Sequence, residues 1–262
     1  MRRVVEEIQE QPPARIWTDI YPTWEEACRA AKAMGGEGLT GDRWLKRIIQ
    51  QISDYTSELR QYGIAMPPRS TNLPLVCALT HATAIVDFGG SSAWCWHYLR
   101  DSLPRQNVFS YTVVETEKVV GYMTEAVADP DAVRFVTLHD ALDPCDVLYC
   151  NSVLQYFGSN APLLSLVERT TPKFILLEDL VAKGDDDFFS VQAYPGGGIP
   201  YRFLGLRKLL DELLDGGYSE LLRSPYASPI LGVIKPLAMD NLPQINQLRY
   251  SLSILLKKSE AG

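Results

Sequence analysis

The sequence contains only three histidines, and no two of its five cysteines form a C-x-x-C pair, so the pattern of a redox or metal motif is missing. Cys28, Cys77, Cys95, Cys145 and Cys150 are scattered and odd in number, several of them in apolar surroundings. Buried, reduced thiols in a cytoplasmic protein are the expectation. No long run of one charge sign exists, and 25 basic against 32 acidic residues give a net charge of −7. Nucleic acid and anionic membrane are therefore not expected as main partners. No stretch approaches a transmembrane span, and Met1 to Glu7 lacks an apolar core of signal-peptide length. Internal repeats are absent too. What remains, 46% apolar and 22% charged over 262 residues, is the make-up of one large globular domain with an N-terminal elaboration.

One stretch organises the chain. Ala84 to Phe88 is a short apolar run, the pattern of a strand buried on both faces. Gly89, Gly90, Ser91, Ser92 and Ala93 follow, and then a segment of helical length from Trp94 to Leu103. A second strand, Val108 to Val114, ends in Glu115. Strand, glycine turn and helix open a nucleotide-binding β-α-β unit, and an acid at the tip of the second strand suits ribose hydroxyls. The dinucleotide fingerprint itself is absent. The two glycines are adjacent, no third follows, and Glu115 comes 26 residues after Gly89. Asp87 inside the turn would repel a phosphate. It suits a ligand carrying an ammonium group and hydroxyls, such as S-adenosylmethionine.

Upstream, Thr23 and Glu26 form a capping box, predicting a helix from Trp24 to Gly35-Gly36. Asp42 is placed to cap a helix over about 43–62, closed by Gly63. Asn72-Leu73-Pro74 opens a third helix to about Thr80. Residues 1–15 read as loosely structured and 1–82 as a helical cap. Downstream, strands are expected at Val133–Thr137, Asp146–Cys150 and Lys173–Leu177, alternating with helices. That alternation belongs to a parallel, doubly wound α/β sheet over 83–236. Phe188 to Ala193 reads as an edge strand or a helix, and Pro195 to Pro200 as a flexible loop. Leu204–Leu214 is a helix. Tyr218–Leu222 and Ser228–Ile234 read as strands that end the sheet antiparallel. Over 237–262, Ile245, Leu248, Leu252, Leu255 and Leu256 suggest one face of a C-terminal helix, packed on the same chain or forming a dimer contact.

This order of elements resembles the class I S-adenosylmethionine-dependent methyltransferases. The chain is similar to a bacterial family of methyltransferases with poorly defined substrates. The carrying residues are Trp17…Tyr21-Pro22-Thr23-Trp24, Asp87-Phe88-Gly89-Gly90, Val114-Glu115, and Leu154-Gln155-Tyr156 after strand four. Gly38-Leu39 and Pro200-Tyr201-Arg202 depart from that family's aromatic pattern. The resemblance implies a Rossmann-like methyltransferase sheet with an antiparallel last strand, and S-adenosyl-L-methionine as cofactor. Its binding residues would be Asp87, Gly89, Gly90, Ser91, Glu115, His139, Asp140 and Asn151. The acceptor would be a small molecule or sugar, methylated at oxygen in a biosynthetic pathway, with carbon and nitrogen acceptors open. Glu178 and Tyr156 are the first choices for the catalytic base, with His81 and His97 as alternatives. Asp185-Asp186-Asp187 reads as a solvated acidic loop before a metal site. A nicotinamide-dependent oxidoreductase and a non-catalytic partner protein are the competing readings.

Overall fold

The computed structural model describes residues 16–35, 39, 41–63, 65, 67, 69–103, 110–126, 133–194, 197–226 and 237–259. Its parallel strands are β1 (Ala84–Phe88), β2 (Ser110–Val114), β3 (Val133–Val136), β4 (Val147–Asn151) and β5 (Phe174–Leu180). A hairpin of β6 (Phe188–Tyr194) and β7 (Gly197–Phe203) follows, then β8 (Tyr218–Pro225) and β9 (Leu252–Lys258). The main sheet runs β3-β2-β1-β4-β5-β9-β8, with β9 antiparallel to both neighbours. Order reverses between β1 and β4, which opens a crevice at the carboxyl ends of these strands. This is a doubly wound, Rossmann-like α/β sheet with β9 antiparallel near its end.

Side-chain alternation sorts the strands onto two faces. Val86, Phe88, Val114, Leu148, Ile175 and Leu177 meet Leu163 and Leu166 of α6 (Ala161–Thr170) and Leu209 and Leu213 of α7 (Leu206–Asp215). Ile85, Tyr111, Val113, Val147, Tyr149 and Leu176 meet α3 (Leu73–Thr80) and α4 (Trp94–Ser102) on the other face. Strands covered on both sides need the near-continuous apolar runs seen here. Asp87 interrupts one such run, on the α4 face.

The N-cap half of the expected capping box forms: the Thr23 hydroxyl accepts from the Glu26 N–H at 3.2 Å, starting α1 (Trp24–Ala33), while the Glu26 carboxylate lies 3.9 Å from Arg29. The α1 helix lies on the β6–β7 hairpin, joined by bridges from Trp17 to Gln192 and Tyr21 to Phe189. The next helix, α2 (Asp42–Tyr62), ends on Gly63 at φ 70, a left-handed cap that glycine takes without Cβ strain. Asp42 is its first residue, not its cap. Leu45 and Ile48 pack on Val119 and Met123 of α5 (Glu117–Ala126). Among the described residues no helix is long and apolar enough to cross a membrane.

The structure corrects the C-terminal reading. The described residues 237–259 hold no α-helix, only a single 3-10 turn at Gln244–Asn246; β9 lies between β5 and β8, so the sheet extends past 236 to Lys258. Ile254 and Leu256 are fully buried on one face, and Ile245 is 82% exposed. The Leu-rich pattern fits both periods over so short a run, and two strands waiting to be paired decide the outcome. A dimer contact through a C-terminal helix therefore has no helix to use. Of the loop expected at Pro195–Pro200, residues 197–200 belong to β7 (Gly197–Phe203) and 195–196 lie outside the described residues; Phe188–Ala193, read as an edge strand or a helix, lies in β6. The strand expected at Ser228–Ile234 and the segment 1–15 lie outside the described residues.

Candidate active site

A cavity of about 310 Å³ opens at the carboxyl ends of β1, β2 and β4, within the size range of small-ligand pockets. Leu39 and Trp44 from the N-terminal region and Arg69 ahead of α3 complete its wall. Asp87, Gly89, Gly90, Ser91, Glu115, His139, Asn151 and Tyr156 all line it. Asp140 and Glu178 do not.

The glycine turn is dictated by packing before any ligand arrives. Gly89 has φ 73, and a Cβ there would come within 2.3 Å of Val153 Cγ2. A Cβ on Gly90 would sit 2.2 Å from Asp87 Oδ2. Ser91 and Ala93 carry the rest of the turn at φ 57 each, a backbone cost that non-glycine residues tolerate when the surroundings impose it. Ser152 and Asp179, at the ends of β4 and β5, have φ 57 and 49. Left-handed backbone thus gathers at the sheet edge that forms the crevice.

Asp87 is 2% exposed and accepts a 2.6 Å hydrogen bond from the Tyr111 hydroxyl. Burial pushes its carboxyl up to about 7, helped by the Glu115 charge and opposed by the Tyr111 bond. Glu115 is fixed beside the turn: Oε1 accepts from the Ser91 N–H at 3.1 Å and Oε2 from the Thr116 N–H at 2.9 Å. Burial raises its pKa as well, against those two bonds. Asn151 donates through Nδ2 to the Ser70 carbonyl (3.2 Å) and the Tyr149 hydroxyl (2.8 Å). Its Oδ1 is buried with no hydrogen-bond partner among the described residues, an acceptor left over at the cavity wall. Phe88 and Phe157 stack 5.1 Å apart as the apolar side of the site.

His139 lines the cavity on the loop after β3. Arg169 holds that loop by donating to the Leu138 and Asp140 carbonyls. Asp140 itself is a local cap, accepting from the Thr137 N–H (2.6 Å) and hydroxyl (2.8 Å), and these bonds lower its pKa. Glu178 falls on the α3–α4 face by alternation with Leu176. Its carboxylate accepts from the Asn72 N–H and Nδ2, 2.8 Å each, and faces the Tyr149 hydroxyl at 3.1 Å. Those partners anchor the start of α3, and Glu178 is not among the cavity-lining residues. Tyr156 lines the cavity, donates to Gln192 Oε1 at 3.2 Å and meets Tyr201 edge-on. His81 caps the C-terminus of α3, and His97 packs edge-on against Trp96. Asp187 is engaged by Arg202 and the Gly205 N–H. Among the described residues no group of three or more His, Cys, Asp or Glu side chains is placed to hold a metal ion.

Sequence reasoning missed Tyr111, Tyr149 and Arg69. The two tyrosines had a legible signal: polar tips in strands buried on both faces, on the face that carries Asp87, with Tyr149 opposite Asp87 in the β1–β4 register. Arg69 had none.

No protein-family model matches the sequence, and no curated protein matches it. Solved structures do resemble it in shape. A S-adenosylmethionine-dependent methyltransferase from Clostridium acetobutylicum is 9% identical, covering 81% of this chain and 99% of its own, with a TM-score of 0.49. The 1,6-didemethyltoxoflavin-N1-methyltransferase of Burkholderia thailandensis, solved with S-adenosylhomocysteine and 1,6-didemethyltoxoflavin bound, is 13% identical over 84% and 91%, at 0.48. A S-adenosylmethionine-dependent methyltransferase from Mesorhizobium loti is 13% identical over 68% and 91%, at 0.46. The fold assignment rests on the strand order above.

Proposed function

We propose that the chain is a methyltransferase that uses S-adenosyl-L-methionine to methylate a small molecule or sugar, most simply at oxygen. One observation carries this reading: Glu115, at the tip of β2, is tied back to Ser91 of the glycine turn, with the Asp87 carboxyl beneath it. Two acids in that place suit ribose hydroxyls and an ammonium group and disfavour the pyrophosphate of a nicotinamide cofactor. The unpartnered Asn151 Oδ1 supports it, as an acceptor for a cofactor N–H.

The bound cofactor supplies the electrophilic methyl group. The chain supplies the rest. Glu115 accepts the ribose hydroxyls, His139 and Leu138 border the adenine, and Asn151 and the Gly89–Gly90 turn hold the methionine end. Phe88, Phe157, Leu39 and Trp44 keep water out, which strengthens the polar contacts inside. Tyr156, held by Gln192, is the group nearest in kind to a base or an acceptor-positioning hydroxyl. In-line positioning carries much of the rate in such a transfer. Acceptor oxygen, sugar class and biosynthetic role follow from how commonly such enzymes act on them.

Calorimetric titration with S-adenosylhomocysteine, with NADH in parallel, tests the reading. Micromolar binding of the first, weakened about ten-fold or more by Glu115→Ala, is expected. Binding of NADH alone contradicts it.

A further inference from the structure

The acids of the cavity lie toward its β2 side, and one guanidinium lies at the other. Arg69 lines the wall beyond β4, with β1 between it and Glu115. Two strand spacings, about 10 Å, separate the β2 and β4 tips. The chain around Arg69 is clamped in place. The Ser70 carbonyl accepts from Asn151 Nδ2 (3.2 Å) and from the Tyr226 hydroxyl (2.7 Å), and the Thr71 hydroxyl lies 2.8 Å from that of Tyr149. Among the described residues no acidic side chain forms an ion pair with Arg69. The Asp179 carboxylate, which like Arg69 acts on the Tyr201 and Tyr226 hydroxyls, accepts from the Ser251 hydroxyl at 2.7 Å. A half-buried guanidinium with no carboxylate of its own chain, beside a cavity, is built to receive one from outside.

We propose that Arg69 is the anion-recognising pole of this cavity and takes a carboxylate at its β4 end, across from Glu115. The inference rests on the methyltransferase reading and adds to it. That carboxylate comes from one of two sources: the methionine part of the methyl donor, or the acceptor. Asn151 shares the pole with Arg69, so an amino-acid headgroup finds an acceptor for its N–H and a donor for its carboxylate side by side. Tyr156, which lines the cavity and packs edge-on against the buried Tyr201, offers an acceptor an aromatic surface.

The test uses the full chain, its Arg69→Gln variant and the charge-retaining Arg69→Lys variant, each first shown to melt with the wild type. S-adenosylhomocysteine and 5′-deoxy-5′-methylthioadenosine are titrated into each; the second lacks the carboxylate. Benzoate and benzamide are then titrated into protein saturated with S-adenosylhomocysteine. A donor carboxylate predicts that Arg69→Gln weakens S-adenosylhomocysteine about ten-fold or more, leaves methylthioadenosine unchanged and is partly rescued by lysine. An acceptor carboxylate predicts unchanged binding of both nucleosides, with a wild-type preference for benzoate over benzamide that Arg69→Gln abolishes. Either result supports the proposal. It is overturned if Arg69→Gln binds S-adenosylhomocysteine like wild type and the benzoate preference is absent or survives. Wild-type protein that binds neither nucleoside overturns the methyltransferase reading, and the Arg69 proposal with it.

Discussion

Asp87 decides most at the scale of single residues. Its carboxyl is held at about 7 in the fold against an ordinary 3.8, so the folded chain keeps a proton there that the unfolded chain gives up. Stability is then fully present below about 4 and falls as pH rises toward about 7. The loss is on the order of 4 kcal/mol at most. Glu115 and Glu178, also raised by burial, act with the same sign. Asp87→Asn removes the largest share, so denaturant melts from pH 4 to 7 should decline less steeply in the variant. A parallel decline would show that Asp87 is not the group concerned. The two glycines form a graded pair. Gly90→Ala meets only the Asp87 carboxylate, whereas Gly89→Ala meets Val153 and also requires φ 73. Thermal melts should rank Gly89→Ala as the more damaging, each costing about 1–3 kcal/mol. Glu178→Gln separates anchor from base. Its amide oxygen keeps the two Asn72 donors, but its N–H₂ then faces the Tyr149 hydroxyl that Glu178 Oε2 now accepts from, so a loss of about 1–3 kcal/mol in stability is expected with S-adenosylhomocysteine affinity unchanged. Unchanged stability with lost turnover would restore Glu178 as the base.

At the scale of elements, the first β-α-β unit was legible because its signals are local. The apolar run of β1, the adjacent glycines and the acid after β2 each follow from a few neighbouring residues. The capping box at Thr23 was legible for the same reason. β9 was not. Leu252, Ile254, Leu255 and Leu256 suit a helix or a strand, and only the vacancy between β5 and β8, whose residues pair with β9 from 27 or more positions away (252 − 225), selects the strand. Glu178 misled in a related way. It ends a strand on the functional edge, but alternation with Leu176 turns it toward α3, where Asn72 takes it. Tyr111 and Tyr149 were overlooked because a tyrosine in a strand reads as core until its hydroxyl's partner is known. Ile254→Ala tests β9 directly. Its side chain is fully buried between β5 and β8, so truncation should cost about 2–5 kcal/mol in a denaturant melt. A helix on the surface would lose little.

Over the whole molecule, two regions distant in sequence close one site. The sheet offers its acids and its glycine turn at the carboxyl edge, and residues 39–71 cover that edge with Leu39, Trp44 and Arg69. The β6–β7 hairpin and α1 form a separate layer, whose Gln192 and Tyr201 meet the cavity-lining Tyr156. Under the proposed function the glycine turn and Glu115 of the sheet take the cofactor, and their signals are local in the sequence, whereas the parts that close the cavity come from distant segments with no such signal. The central claim is that the crevice beside Glu115 holds S-adenosylmethionine. A crystal structure of the chain soaked with S-adenosylhomocysteine tests it most directly. The account predicts both ribose hydroxyls on the Glu115 carboxylate, adenine beside His139 and the methionine end at Asn151. A nucleoside bound elsewhere, or an empty crevice at saturating ligand, would contradict it.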